Sequence, residues 1–298
     1  MTIRRSILGP DSQGRRLDRI VADLTGCGRR RARKLIEEGC VQVDDHWAAA
    51  SSLPAVGSQI SVEQRGEELA PSEPSGIRLV WSNDEVLVMN KPAGVHSHRG
   101  LHSPCAADYT AAAFPETVGL GASDKEGGIV HRLDCFTSGL LIAARNESAY
   151  RQLRQRFASN LVTRRYLALV MGQLEHVQIV EQALVRTARK VRAAREEETG
   201  LPARSEVRAL ENGRDWALLL VESATGAPHQ VRAHLSSLGL PLLGDTEYGG
   251  QPARFRKGQL LHAVGLSLHS EEDTRPVSFR AAAPGDFLLE LASLRKRA

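Results

Sequence analysis

The chain has 298 residues, 42% of them hydrophobic, enough to bury one large core or a large and a small one, so disorder is excluded as its default state. No apolar run approaches the ~20 residues that span a bilayer. The start, Met1-Thr2-Ile3-Arg4-Arg5-Ser6, lacks a signal-peptide core, so a cytoplasmic protein without a membrane partner is expected. The net charge of +4 hides an asymmetry: residues 1–40 carry ten Lys/Arg against five Asp/Glu, residues 145–195 carry eleven against three, and the remainder is acidic. Local basic excess suits a polyanionic partner, although a charge run is more often a solvated helix face. Cys27, Cys40, Cys105 and Cys135 form no CxxC pair and suggest neither a zinc site nor a disulfide framework.

Leu17, Ile20, Val21 and Leu24 recur at i, i+3, i+4 and i+7 and predict a helix ended by Gly26. A second helix carries Arg29, Arg30, Arg31, Arg33 and Lys34 beside Ala32, Leu35 and Ile36, and Gly39 closes it. Positions 29 and 33, and 30 and 34, lie one turn apart, so the cations form a ridge opposite the apolar side. Short strands at 41–43 and 59–62, with a turn at Asp44-Asp45-His46, complete a module assigned to residues 14–64. Pro, Gly, Ser and Glu in residues 65–76 mark a linker, which leaves 77–298 as a second domain. There, strands are expected at 77–81, 86–90, 139–144, 166–170 and 216–221, the last after a hairpin turn at 211–215. A helix capped by Asn146 carries Tyr150, Leu153 and Phe157, and others are expected near 229–237 and 286–297. Many hairpins with few intervening helices predict an α+β fold, a mixed, largely antiparallel sheet with flanking helices, beside a small N-terminal α/β domain.

His131-Arg132-Leu133-Asp134 runs through Cys135-Phe136-Thr137 into the buried strand that Gly139 opens, so the bend presents Asp134 at the rim of a sheet. Taken alone, such an Asp is usually a turn former. Further blocks surround it in the chain. Asn90-Lys91-Pro92-Ala93-Gly94 comes before it, and Arg164-Arg165-Tyr166 through Gly172 follows. Thr225-Gly226 precedes His229-Gln230-Val231-Arg232-Ala233-His234, and Gly244-Asp245, Tyr248-Gly249 and Leu261-His262-Ala263 close the set.

In this order and spacing the blocks closely resemble the RluA-type pseudouridine synthase family over about residues 77–270. The N-terminal module resembles the αL-type RNA-binding domain of a small-subunit ribosomal protein, tyrosyl-tRNA synthetases and many RNA-modifying enzymes. Arg16-Leu17-Asp18, Arg33, Leu35-Ile36, Gly39 and Val41-Gln42-Val43 carry that likeness, which breaks at Asp44-Asp45-His46, where the usual turn has Asn-Gly. The resemblance implies isomerisation of a uridine in RNA to pseudouridine without a cofactor. Asp134 matches the nucleophile, Tyr166 the tyrosine that packs on the uracil and serves as a base, Arg232 the arginine paired with the aspartate, and Arg132 the arginine that helps displace the target base. Arg29, Arg30, Arg33, Lys34 and Arg165 are the expected RNA contacts.

The chemistry asks for these residue types on its own account. Breaking C1′–N1 and joining C1′ to C5 is redox-neutral and calls for no nicotinamide, nucleotide or metal, and the chain offers no Walker loop, GxGxxG or metal-ligand cluster. A carboxylate can attack the sugar or the ring. Kept ionised in a dry pocket, it wants a two-pronged guanidinium to offset desolvation. C5 must lose a proton, to a base or through a tyrosine hydroxyl. His96, His98 and His102 lie in a Ser/Gly/Arg loop with no acidic fourth ligand, so no metal site is expected, and His229 and His234 are expected to orient the Arg232 helix. Ala227 stands where an arginine often follows Thr-Gly, and His269-Ser270 where His-Pro is common. The favoured partner is ribosomal RNA, of the large subunit, bound by a monomer; transfer RNA is the alternative. A non-catalytic RNA-binding assembly factor is a second class. A glycoside-cleaving enzyme is a third, but it wants two carboxylates flanking the bond, and the sequence suggests no second Asp or Glu near Asp134.

Overall fold

The computed structural model describes residues 2–25, 29–37, 39–64, 76–100, 104–123, 125–187, 190–195, 197–269 and 276–297. They fall into two units, Met1–Ala70 and Pro71–Ala298.

The first unit comprises β1 (Thr2–Ile7), α1 (Leu17–Thr25), α2 (Arg29–Glu37), β2 (Val41–Val43), β3 (His46–Trp47) and β4 (Gln59–Gln64). Its sheet runs β1-β4-β2-β3. Leu17, Ile20 and Val21 of α1 meet Ala32, Leu35 and Ile36 of α2 over Val41, Ile60 and Val62, so the helical periodicity and the strand alternation bury one shared core. The unit begins earlier than residue 14. β1 pairs with β4 from Thr2↔Gln64 to Ile7↔Gln59, and Arg4-Arg5 hide this strand in the sequence by interrupting its apolar pattern. Asp44 and Asp45 both take positive φ, 48° and 64°, so they form the tight hairpin turn that Asn-Gly would otherwise make. Asp44 Oδ1 accepts from Gln59 N at 2.7 Å. The expected stop at Gly26 and the linker residues 65–75 lie outside the described residues.

The cationic ridge is not simply solvated. Asp18 is fully buried, and its carboxylate accepts from Arg33 Nε at 2.8 Å, Arg16 Nε at 3.2 Å and Arg29 Nη2 at 3.4 Å. Hydrogen bonds from Arg16 and Arg33 hold its pKa well below the usual carboxylate range. Arg29 and Arg33 therefore reach solvent already ordered by one acid, and the side chains of Arg30 and Lys34 lie outside the described residues.

The second unit holds β5 (Arg78–Ser82), β6 (Val86–Lys91), α3 (Ala106–Ala113), β7 (Ser138–Ala144), α4 (Glu147–Ala158), β8 (Val162–Met171), β9 (Gln178–Val180), β10 (Leu184–Arg186) and β11 (Val191–Ala193). β12 (Ser205–Asn212), β13 (Trp216–Ser223), α5 (Gln230–Ser237), β14 (Leu261–Leu268), β15 (Val277–Arg280) and α6 (Gly285–Arg295) follow. Among the described residues the main sheet has the order β5-β6-β7-β14-β8-β13-β12-β9, with β15 on β14. This is the mixed, largely antiparallel sheet with flanking helices that the sequence predicts. One pairing, β7 with β14, is parallel, at Ser138↔His262 and Gly139↔Ala263. Gly139 has φ +119°, and a Cβ there would lie 2.3 Å from the Ala263 carbonyl oxygen, so only glycine lets β7 join β14 directly after the bend at Asp134.

The same seam is anchored by a buried neutral histidine. His262 Nε2 donates to the Ala281 carbonyl at 3.1 Å, which leaves Nδ1 to accept the Ser138 hydroxyl at 3.0 Å. Burial pushes His262 down to about 4, and lowers His98, His131 and His234 as well. Between about 4 and 6.5 the unfolded chain binds more protons at His262 than the folded one, so its contribution is complete above 6.5 and is lost as pH falls. For His262 alone the loss is on the order of 2–3 kcal/mol. Melting temperature measured from pH 7.5 to 4.5 is expected to fall, and His262→Gln should make the fall shallower. An unchanged slope in that variant would remove His262 as the neutral anchor.

Candidate active site

Residues 131–134 approach the seam without regular secondary structure. Leu133 points inward, its N–H donating to Ser97 Oγ and its carbonyl accepting from the same hydroxyl, each at 3.0 Å. Arg132 is exposed and Asp134 half-buried. Both line a cavity of about 370 Å³ and a neighbouring hollow of about 580 Å³. The turn after Asp134 is held from beneath by Lys91, the last residue of β6, which is fully buried. Lys91 Nζ donates to the carbonyls of Val95 at 2.7 Å, Pro92 at 3.0 Å and Cys135 at 3.1 Å, with Asp134's own carbonyl at 3.4 Å. Burial pushes its pKa down to about 7. The Asn90–Gly94 block is thus the support of the Asp134 loop.

On β8, Arg164 and Tyr166 share one strand face and both line the 370 Å³ cavity. Burial raises the Tyr166 phenol above its ordinary value, so at neutral pH it carries its proton. Arg165, expected at the RNA, falls on the opposite face. It pairs with Glu222 at 2.8 Å and donates to Ser267 Oγ at 3.0 Å, because neighbouring strand residues point apart. Arg164, on the Tyr166 face, went unnoticed, although the same period of two could have found it.

α5 brings Arg232 to Asp134, but the guanidinium fork lies elsewhere than expected. Nε and Nη2 grip both oxygens of Asp245 at 2.7 and 2.8 Å, and Nη2 also donates to Glu247 at 2.7 Å. The guanidinium lies over the Tyr248 ring, 4.6 Å from its centroid. Asp134 meets only Nη1, at 3.4 Å. Burial would lower the Arg232 pKa, but the hydrogen bonds and charge of Asp245, with the charge of Asp134, hold it well above its usual value. Asp245 and Glu247 also correct the expectation of no second acid near Asp134. Both belong to the Arg232 network, and among the described residues Asp134 is the one carboxylate lining the 370 Å³ cavity.

His229, expected to orient the Arg232 helix, contacts Arg232 and also faces Asp134. Its φ is +52°, left-handed for a non-glycine residue, and this places Nε2 3.7 Å from Asp134 Oδ1. Its Nδ1 accepts from Arg232 Nη1 at 3.1 Å and lies 3.0 Å from the Tyr248 hydroxyl, so the ring hydrogen sits on Nε2, toward Asp134. Its position three residues before Arg232, one helical turn away, was the available signal. His234 serves as expected of an anchor, with Nδ1 on Ser205 Oγ at 2.9 Å and Nε2 on the Gln182 carbonyl at 3.0 Å. His102 and Ser270 lie outside the described residues.

Among the described residues four arginines and one carboxylate line the cavity, a balance suited to a substrate that brings its own phosphates. The chain belongs to the RNA pseudouridylate synthase family, whose pattern matches residues 85–237, and an S4 domain matches residues 15–53. It is therefore an RNA isomerase. It is 30% identical over 305 residues to ribosomal large subunit pseudouridine synthase D of Haemophilus influenzae, with 96% of this chain and 93% of that protein covered. To the uncharacterized RNA pseudouridine synthase YlyB of Bacillus subtilis it is 28% identical over 292 residues, with 96% of each covered. The structure of human RNA pseudouridylate synthase domain containing 1 matches with a TM-score of 0.57 at 26% identity, over 70% of this chain and 84% of that one. Human RNA pseudouridylate synthase domain containing 4 shares the fold, with a TM-score of 0.59 at 22% identity over 73% and 92% of the two chains.

Proposed function

We propose that this protein converts a uridine of large-subunit ribosomal RNA to pseudouridine, with Asp134 as nucleophile and a single chain as the working unit. The observation that carries the reading is the isolation of Asp134, the one carboxylate lining an arginine-rich cavity among the described residues, with Arg232 Nη1 at 3.4 Å. Large-subunit RNA is named for the relative that modifies it and shares 30% identity across nearly the whole chain. Ribosomal RNA as the target supports a cytoplasmic enzyme; no described helix is long and apolar enough to cross a membrane. The S4 unit, with Arg29 and Arg33 ordered by Asp18, supplies a second hold on RNA phosphates.

Asp134 adds to C1′ of the ribose or to C6 of the ring as C1′–N1 breaks. The freed uracil turns so that C5 bonds to C1′, the bond from Asp134 to C1′ or C6 breaks to return the free carboxylate, and the hydrogen on C5 leaves while N1 gains one. Tyr166 packs against the base, and because its phenol stays protonated it serves the C5 proton as a relay through its hydroxyl and not as a free phenolate. The reaction needs no outside electron donor or acceptor. Mapping pseudouridine in ribosomal and transfer RNA from cells lacking the gene tests the substrate: a site lost from large-subunit RNA supports the reading, and a loss confined to transfer RNA reassigns it.

Arg132 bears on how the uridine is reached. It is exposed, makes no ion pair among the described residues, and borders both hollows beside Asp134. A base inside folded RNA must first leave its stack, at a cost of a few kcal/mol. Arg132→Ala is expected to lose at least about tenfold more activity on a uridine in a stem-loop than on one in an unstructured oligonucleotide. Tritium release from 5-tritiated uridine measures both, and equal losses would assign Arg132 to the chemistry or the fold instead of base displacement.

A further inference from the structure

Two arginines that line the cavity, Arg164 and Arg154, have no role in the chemistry above. Arg164 is 8% exposed, yet it makes no ion pair among the described residues. Its guanidinium lies between the Phe157 ring, 4.9 Å from the centroid, and the Ala224–Gly226 backbone. Nη1 donates to the carbonyls of Ala224 at 2.9 Å and Thr225 at 2.6 Å, and Gly226 leaves room beside it, because a Cβ there would lie 2.8 Å from Nη2 and push the guanidinium aside. Both Nη1 hydrogens are thereby used, which leaves those on Nε and Nη2 for a ligand. Arg154, on α4, is tethered in the same one-sided way, Nη1 donating to the Val130 carbonyl at 2.8 Å. Their neighbours behave differently: Arg165 pairs with Glu222 and Arg151 with Glu147. Arg154 is exposed, but the nearly buried Arg164 guanidinium is costly without a counter-ion, and an anion entering the cavity would relieve that cost. Ala227, which also lines the cavity, carries only a methyl group and leaves room for it.

We propose that Arg164 and Arg154 form a seat for the phosphodiester adjoining the target uridine. Two half-tethered forks that line one cavity and both act on His131 match the two non-bridging oxygens of a phosphate, whose spacing a guanidinium edge fits. The seat rests on the reading that Asp134's cavity receives the uridine. Its residues hold the entering nucleotide by its phosphate, equally before and during reaction, and take no part in bond making. It is separate from the phosphate contacts of the S4 unit, because it acts on the one nucleotide that enters the cavity.

The test uses the full-length enzyme and stem-loop RNAs in which the linkage on the 5′ or the 3′ side of the target uridine is a neutral methylphosphonate. For Arg154→Gln, KM should rise about tenfold with kcat within about twofold, as expected for one charge-assisted contact at a half-open site. The salt slope of binding, read by fluorescence anisotropy, should flatten by about 0.7. One of the two neutral linkages should cost the wild type about tenfold in affinity and cost Arg154→Gln nothing further. Arg164→Gln should behave likewise where its melting temperature shows that it folds, and otherwise Arg154→Gln alone decides. Neutral linkages that leave wild-type affinity unchanged, or losses that add in full to that of Arg154→Gln, overturn the seat. Absence of tritium release by the wild type on any uridine RNA would overturn the isomerase reading instead, while the anisotropy cycle still decides whether the cavity holds a phosphate.

Discussion

Asp134→Asn is expected to lower tritium release from 5-tritiated uridine RNA by at least ~10³-fold while RNA affinity stays within about threefold of wild type. The amide keeps the shape of the carboxylate and can still accept from Arg232 Nη1, now 3.4 Å from Asp134 Oδ2, but its oxygen is a far poorer nucleophile. The fold should survive, because Arg232 is held by Asp245 and Glu247 whether or not residue 134 is charged. Lys91 and Ser97 hold the loop through backbone carbonyls and an N–H that the substitution leaves in place. A melting temperature within about 2 °C of wild type is the control. Retention of more than a few per cent of activity would take the nucleophile's role from Asp134.

Arg232→Lys should be damaging for a reason that only the network discloses. One guanidinium serves Asp245 through two nitrogens, Glu247 through one and Asp134 through the remaining one, and it also donates to His229. An ammonium is a point charge that cannot meet these partners together. Asp245, only 2% exposed, would be left poorly paired, which typically costs about 3–5 kcal/mol. At this chain length that corresponds to a fall in melting temperature of roughly 10 °C. His229 would lose the donor on Nδ1 that keeps its hydrogen toward Asp134, so activity should fall by about a hundredfold or more even where the enzyme remains folded. Thermal melts and tritium release at a temperature well below the transition separate the two effects. Wild-type values in both would mean that the network does not hold the site.

Much of this molecule was legible in the chain. The apolar spacing of Leu17, Ile20 and Val21 and the ridge of Arg29 to Lys34 are local patterns, and the helices they predict are present. The run from Gly139 to Ala144 reads as a buried strand because every side chain in it is apolar or absent, and all are buried. The blocks around Asp134, Tyr166 and Arg232 pointed to one family, and the four residues Arg132, Asp134, Tyr166 and Arg232 do line one cavity. Strand β1 was not legible, since Thr2–Ile7 acquires its partner only when β4 offers an edge 52 or more residues away.

The sequence by itself therefore determined residue types, local periodicity and the order of the blocks, because these depend on neighbours a few positions apart. Which face each side chain took, and which charge met which, was decided by the tertiary structure. Arg165 and Arg164 differ by one position, yet the sheet turns the first to Glu222 and the second to the cavity. Arg232's fork went to Asp245 and not to Asp134 because the turn after α5 brings a buried carboxylate to both of its prongs, while Asp134 stands at the rim with its own backbone fixed by Lys91. Electrostatic pairing falls off over a few ångströms, and those ångströms exist only once strands β7 and β14 have been joined at Gly139.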